Sequence, residues 1–242
     1  MAYTKIFPQS MSELCPIKDK TKQNMPNYPA TALLSNLHQV VENALQTIIA
    51  EWQNLPEAVL AQAPGPKSWS AAQCLDHLNR YYRYYVPAFA QSIAKAEQMG
   101  QPPATEFHST WLGNLSVKAM LTNEKGHALN KMQAMKDYRP SLDLDVRAIV
   151  AEFIDHQEQL LQLLERAMKV DLNRAKVSIS IAQFLKLRLG DALMFVVSHQ
   201  CRHLLQAQRA ARVAGGPAIT FPRFDLAQIG QPATQSKFIA TT

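Results

Sequence analysis

The chain has 242 residues, 47% of them hydrophobic, and a net charge of +6. That is enough apolar material for one sizeable core, and it excludes global disorder. The charge is dilute: residues 1–24 carry +2 and residues 215–242 carry +1, which leaves +3 between them. Without a dense Lys/Arg stripe interleaved with aromatics, nucleic-acid binding is not expected.

No stretch reaches the ~18 consecutive apolar residues of a membrane span. The opening MAYTKIFPQSMSELCPIKDK lacks the apolar segment of a secretory signal. Cys15, Cys74 and Cys201 are odd in number and form no spaced framework. A reducing, cytoplasmic location without membrane association is therefore the expectation.

In chain order, residues 1–28 mix Lys, Pro, Ser, Gln and Asn without periodicity and are expected to form a flexible arm. A first helix is predicted from about Thr31 to Asn54, where Leu33, Leu37, Val40, Val41, Leu45 and Ile48 recur at helical spacing; Pro56 ends it. After the turn residues Pro64, Gly65 and Pro66, a second helix should span Ser70 to Gln98. Ser70 followed by Gln73 is a capping-box pattern, and Pro87 is a candidate kink. Residues 99–141 read as a long connection with a short helical excursion around Trp111, Leu112, Leu115 and Met120. Such a segment suits a crossover at a bundle end or a lid.

A third helix is expected from about Leu142 to Val170, striped by Val146, Ile149, Val150, Phe153, Leu160 and Leu164. VSISIAQFLKLRLG reads as a short strand or turn followed by a short helix over Ile181–Leu187. The last long helix is expected from Asp191 to Val213, stopped by Gly215, Gly216 and Pro217. Residues 215–242 should form an extended tail. Four long amphipathic helices without a convincing strand predict an all-α four-helix bundle over residues 29–214.

The last helix carries the chemistry. In SHQCRHLLQAQR, His199 and His203 are four residues apart, so both imidazoles share one face and can reach one ion. Gln206 lies on the same face, seven residues after His199. The pattern is not the HExxH of a zinc protease, because Gln200 stands where the base Glu would be. A catalytic site usually needs a third protein ligand, and His77, in WSAAQCLDHL on the second helix, is the candidate. Hydrogen-bonded core histidines are the other reading of the same three residues.

Neighbouring residues carry two readings each. Gln206 suits a hydrogen bond to a ligating imidazole or a metal-bound water, and equally a plain polar position at the bundle end. Tyr81, one turn past His77, is a candidate donor in the pocket, whereas Tyr82, Tyr84 and Tyr85 read as core or interface aromatics. Asp76 could orient a histidine or lie at the surface. Cys74 and His156 are candidate further ligands, or a buried small hydrophobe and a polar-face histidine. Cys201 should point away from the histidine pair by its helical angle.

Trp69, Ser70, Gln73, His77 and Leu78, read as WS-x-x-Q-x-x-x-H-L, together with His199, His203, Leu204 and Gln206, read as H-x-x-x-H-L-x-Q, resemble the DinB/YfiT-like metalloenzyme family. The lead-in LRLGDALMFVVSH is similar too. The likeness spans about Thr31 to Val213. It implies an up-down-down-up order for the four helices, with His77, His199 and His203 as ligands of one metal ion. Three neutral imidazoles suit zinc, nickel or iron(II) better than magnesium or calcium.

The resemblance also implies a thiol-dependent transferase or a hydrolase acting on a small molecule, with a thiol as one candidate substrate. A non-catalytic bundle that binds a small ligand, or that forms a homodimer through its aromatic cluster, is the alternative.

Overall fold

The computed structural model describes residues 25–130 and 132–229. Residues 1–24 of the expected arm over residues 1–28, the last residues of the tail and Cys15 lie outside them, whereas Asn27 and Tyr28 of that arm belong to a strand and Tyr28 is buried. Among the described residues the fold is mostly helical, with six α-helices and two small two-stranded sheets.

Strand β1 (Asn27–Pro29) leads into helix α1 (Ala30–Thr47). Leu33, Leu37, Val40, Val41 and Ala44 repeat every three or four residues and are all buried. The helix then widens into a π turn over Ile48–Trp52, closed by Gln53 N–H donating to the Ile48 carbonyl at 2.9 Å. A short helix α2 (Glu57–Ala61) follows.

Helix α3 (Ala71–Gln98) begins at the expected capping box. Gln73 N–H donates to Ser70 Oγ at 3.1 Å and Ser70 N–H donates to Gln73 Oε1 at 3.0 Å. A cap of this kind contributes about 1 kcal/mol. Pro87 lies inside the helix, which continues through it.

The long connection carries structure of its own. Strand β2 (Glu106–His108) pairs antiparallel with β1, and helix α4 (Trp111–Met120) packs against the last helix. A 3-10 turn at Lys136–Tyr138 precedes helix α5 (Val146–Ala167), which is capped by Asp145.

The expected short helix over Ile181–Leu187 is a strand instead. Strands β3 (Lys176–Ile179) and β4 (Ala182–Arg188) form an antiparallel hairpin, with Val177 opposite Leu187. The reason is visible in Val177-Ser178-Ile179-Ser180 and Leu185-Lys186-Leu187-Arg188, where apolar and polar residues alternate with a period of two. Val177 and Leu187 are buried under it.

Helix α6 (Leu189–Val213) starts two residues before Asp191. Gly190 is required there, since a Cβ would come 2.6 Å from the Phe107 ring. The helix ends as the glycines suggest. Gly215 adopts φ +86° and Gly216 N–H donates to the Ala211 carbonyl at 2.8 Å, which closes the last turn.

Helix α3 packs against α5 and α6, and α1 lies mainly against α5. The described part of the tail has no long helix but closes a 3-10 turn at Leu226–Gln228 and packs on this core. Phe221 and Phe224 are buried, and the Phe221 ring meets Trp52 edge-on at 5.1 Å.

Candidate metal centre

Helix α3 delivers His77 and helix α6 delivers His199 and His203 into one buried cluster. Their exposures are 2%, 5% and 8%, and one ring nitrogen from each lies within 4.8 Å of the others. His77 Nε2 and His199 Nε2 are 3.2 Å apart. Two nitrogens bound at ~2.0 Å to one tetrahedral ion are roughly 3.3 Å apart, so this pair already has the spacing of two ligands.

Two of the three imidazoles have their proton position fixed from behind. His77 Nδ1–H donates to the Tyr138 carbonyl at 2.5 Å, and His203 Nδ1–H donates to Gln206 Oε1 at 3.1 Å. A carbonyl oxygen only accepts, so each ring keeps its lone pair on Nε2. Partners of this kind hold metal-binding histidines in orientation. Aromatic rings hold the imidazole planes: Trp69 lies against His77 and His203, Tyr81 against His77 and His199, and Phe195 is stacked on His199 at 5.8 Å. The donor set therefore fits a single transition-metal ion.

The other sequence candidates go elsewhere. Among the described residues, the close cluster of His, Cys, Asp or Glu donors is His77, His199 and His203 alone. Cys74 is a buried thiol that burial pushes far above its ordinary pKa, as expected of a small core residue. His156 is buried against Tyr82, with Nδ1 at 3.4 Å from Asn79 Oδ1, so neither sequence reading of it holds. Gln200 accepts from the Tyr82 hydroxyl in the core. Cys201 is buried and stands outside the cluster, as its helical angle suggests.

Asp76 is neither exposed nor a histidine partner. It is 5% exposed, accepts from Ser141 N–H at 2.8 Å and from Arg80 Nε at 3.1 Å, and so pins the loop that carries the Tyr138 carbonyl. The Tyr138 carbonyl is a functional group that the sequence does not disclose.

The family model described as the DinB superfamily matches residues 40–207, more than half of the chain. The chain belongs to that superfamily. No match is found among curated proteins or among solved structures. The matched span begins within α1 and ends within α6, so it includes all three histidines and Gln206.

In this DinB-superfamily chain the triad stays neutral. Burial drives the pKa of His199 and His203 well below the ordinary histidine value, and charge on neighbouring imidazoles or on Arg202 would lower both further. Burial also lowers His77, although the bond to Tyr138 works against the shift. Neutral rings are the ones with lone pairs for a metal.

Above the unfolded value near ~6.5, both states are neutral and the triad adds no pH dependence. Below it the unfolded chain takes up protons that the native triad refuses, so stability falls with falling pH. Each imidazole adds a slope of up to about 1.4 kcal/mol per pH unit. Urea unfolding of chelator-treated protein at several pH values between about 5 and 7.5 should show midpoints falling steadily below about 6.5. A flat profile would contradict the buried neutral triad.

A cavity of about 1010 Å³ opens over the triad, lined by His77, His199 and His203 as well as Trp69, Tyr81 and Phe195. Part of the wall comes from the long connection, through Leu115, Met120, Met132 and Met135. The connection over residues 99–141 thus forms one side of the site.

Proposed function

We propose that the protein is a metal-dependent enzyme that transfers a thiol or hydrolyses a small molecule. One zinc, nickel or iron(II) ion would sit on His77, His199 and His203. The observation that carries this reading is the convergence of three buried imidazoles, two of them fixed with Nε2 free. A divalent ion there supplies Lewis acidity, which lowers the pKa of a water or thiol that reaches it.

The chain's own residues bind, orient and exclude water. Trp69, Phe195 and the methionines of the connection present an apolar wall to the substrate. Tyr81 also lines the cavity, and burial raises its phenol far above the ordinary value. It stays protonated and can donate a hydrogen bond to charge developing on the substrate. Among the described lining residues there is no Asp or Glu, so no side-chain carboxylate acts as base.

The wider reading places α1, α3, α5 and α6 as an up-down-down-up bundle over residues 29–214. Residues 1–28 and 215–242 flank it. It is a cytoplasmic protein, and homodimerisation is one assembly to test. The missing carboxylate also favours a second reading, in which the cavity binds a small ligand without turning it over.

The test is a screen of protein reconstituted with zinc, nickel or iron(II). Small thiols are offered with electrophiles, and amides and esters are offered alone. The expected result is metal-dependent turnover that vanishes in the His77→Ala/His199→Ala/His203→Ala variant. Turnover that is equal in the variant would remove the enzymatic reading, and tight ligand binding without turnover would favour the second one.

Gln206 offers a finer check. Gln206→Ala removes the acceptor behind His203 and leaves all three ligands in place. Zinc affinity, measured by competition with a chromogenic chelator, should fall about 10- to 100-fold. An unchanged affinity would mean that Gln206 is a plain polar residue.

A further inference from the structure

The histidines on α6 belong to a longer stripe. His199, Arg202, Gln206 and Arg209 follow one another at three- and four-residue steps, His203 lies one turn past His199 beside Arg202, and all five line the cavity. The two arginines have no part in holding the triad. Arg202 is 9% exposed and donates to two backbone carbonyls, Ala119 at 3.0 Å and Asn130 at 2.7 Å. Arg209 donates to the Gly126 carbonyl at 2.9 Å. A guanidinium has five N–H donors, so each keeps several to offer.

Among the described residues neither arginine meets a carboxylate. The lining also contains Lys67 and Arg139, and none of these four cations takes part in a described ion pair. The described lining contains four cations, no acidic residue and mostly apolar walls. Arg202, largely buried and without an ion-pair partner among the described residues, is costly to keep charged with carbonyl acceptors alone, and an anionic ligand would offset that cost. The fork of a guanidinium matches an acid group in two-point fashion.

We infer that the cavity takes an organic anion, with its acid group on Arg202 and Arg209 and its apolar body against the aromatic and methionine walls beside the histidines. This assigns the substrate class of the proposed site and rests on the cavity being the substrate site. It does not require a metal in the triad. The acid group is a carboxylate or a sulfonate, which the same fork recognises.

A matched pair of probes tests it in the full-length protein. Anilinonaphthalene sulfonate carries an acid group, and phenylnaphthylamine is the same framework without one. Both report binding by fluorescence. Titrations are run after chelator treatment, so that no metal attracts the anion, and again after zinc addition.

The sulfonate is expected to bind at least about tenfold more tightly than the neutral probe. Arg209→Gln should remove most of that advantage with an unchanged melting temperature and unchanged affinity for the neutral probe. Arg202→Gln should weaken the sulfonate about tenfold, and Arg202→Lys should restore part of it. Equal binding of the two probes by the wild type would overturn the inference. So would parallel loss of both probes in the arginine variants, since that is the signature of scaffold residues. If zinc never binds but the sulfonate preference holds, the metal reading fails and the anion site stands.

Discussion

Replacing His199 with alanine should abolish stabilisation by metal while leaving the metal-free fold nearly intact. His199 is the middle of the triad, 3.2 Å from His77 Nε2 and four residues before His203. Its loss leaves two ligands where three converge. Removing a partner behind a ligand already costs about 10- to 100-fold in affinity, so removing the ligand should cost more than roughly 100-fold. At 100 times its dissociation constant, a ligand stabilises the native state by about 2.7 kcal/mol. For a chain of this size that is a rise of roughly 5–10 °C in melting temperature. Wild type should show this rise with zinc, and His199→Ala should show none. The metal-free variant should melt close to the wild type, because the lost imidazole was itself costly to bury. An equal zinc shift in both proteins would put the metal elsewhere.

Gly113→Ala should be the most damaging of the conservative substitutions. Gly113 is in the first turn of α4, and a Cβ there would lie 1.9 Å from Asp191 Cγ on α6. Asp191 cannot swing aside. It is 0% exposed and accepts from Ser109 Oγ at 2.6 Å, Thr110 Oγ1 at 2.8 Å and Thr110 N–H at 3.1 Å. Helix propensity alone would favour the alanine by ~1 kcal/mol. The clash should reverse that and cost about 2–4 kcal/mol. The damage should reach the site, because α4 lends Leu112, Leu115 and Met120 to the cavity wall. Urea unfolding measures the loss, and limited proteolysis should cut near α4 in the variant first. A neutral or stabilising substitution would refute the close approach of α4 and α6.

The long helices were legible because each carries an apolar residue every three or four positions, and because Ser70 and Gln73 mark a start and Gly215 marks a stop. The histidine cluster was legible for a related reason. Four-residue spacing fixes His199 and His203 on one face, and His77, placed by the capped start of another helix, offers the third ligand. The β3–β4 hairpin was readable in principle from its alternation, but Leu185, Leu189 and Leu193 recur every four residues and also suit a helix running into α6.

Three features had weaker signals or none. The Tyr138 carbonyl that sets His77 is a backbone group, which any residue supplies, so only the fold can place it. Asp76 reads as an ordinary helical acid, and its partner Ser141 N–H is 65 residues away and equally anonymous. Arg202 and Arg209 did have a signal. They lie at three- and four-residue steps from the histidines, and no Asp or Glu stands within four residues of either.

One metal ion on His77, His199 and His203 is the feature on which the proposed function stands. The most direct measurement is metal content by mass spectrometry on untagged protein, as purified and after reconstitution with zinc, nickel and iron(II). The His77→Ala/His199→Ala/His203→Ala variant is treated in parallel. About one equivalent in the wild type and none in the variant is the expected result. No bound metal in the reconstituted wild type, or equal metal in the variant, would contradict it and leave the three imidazoles as core residues.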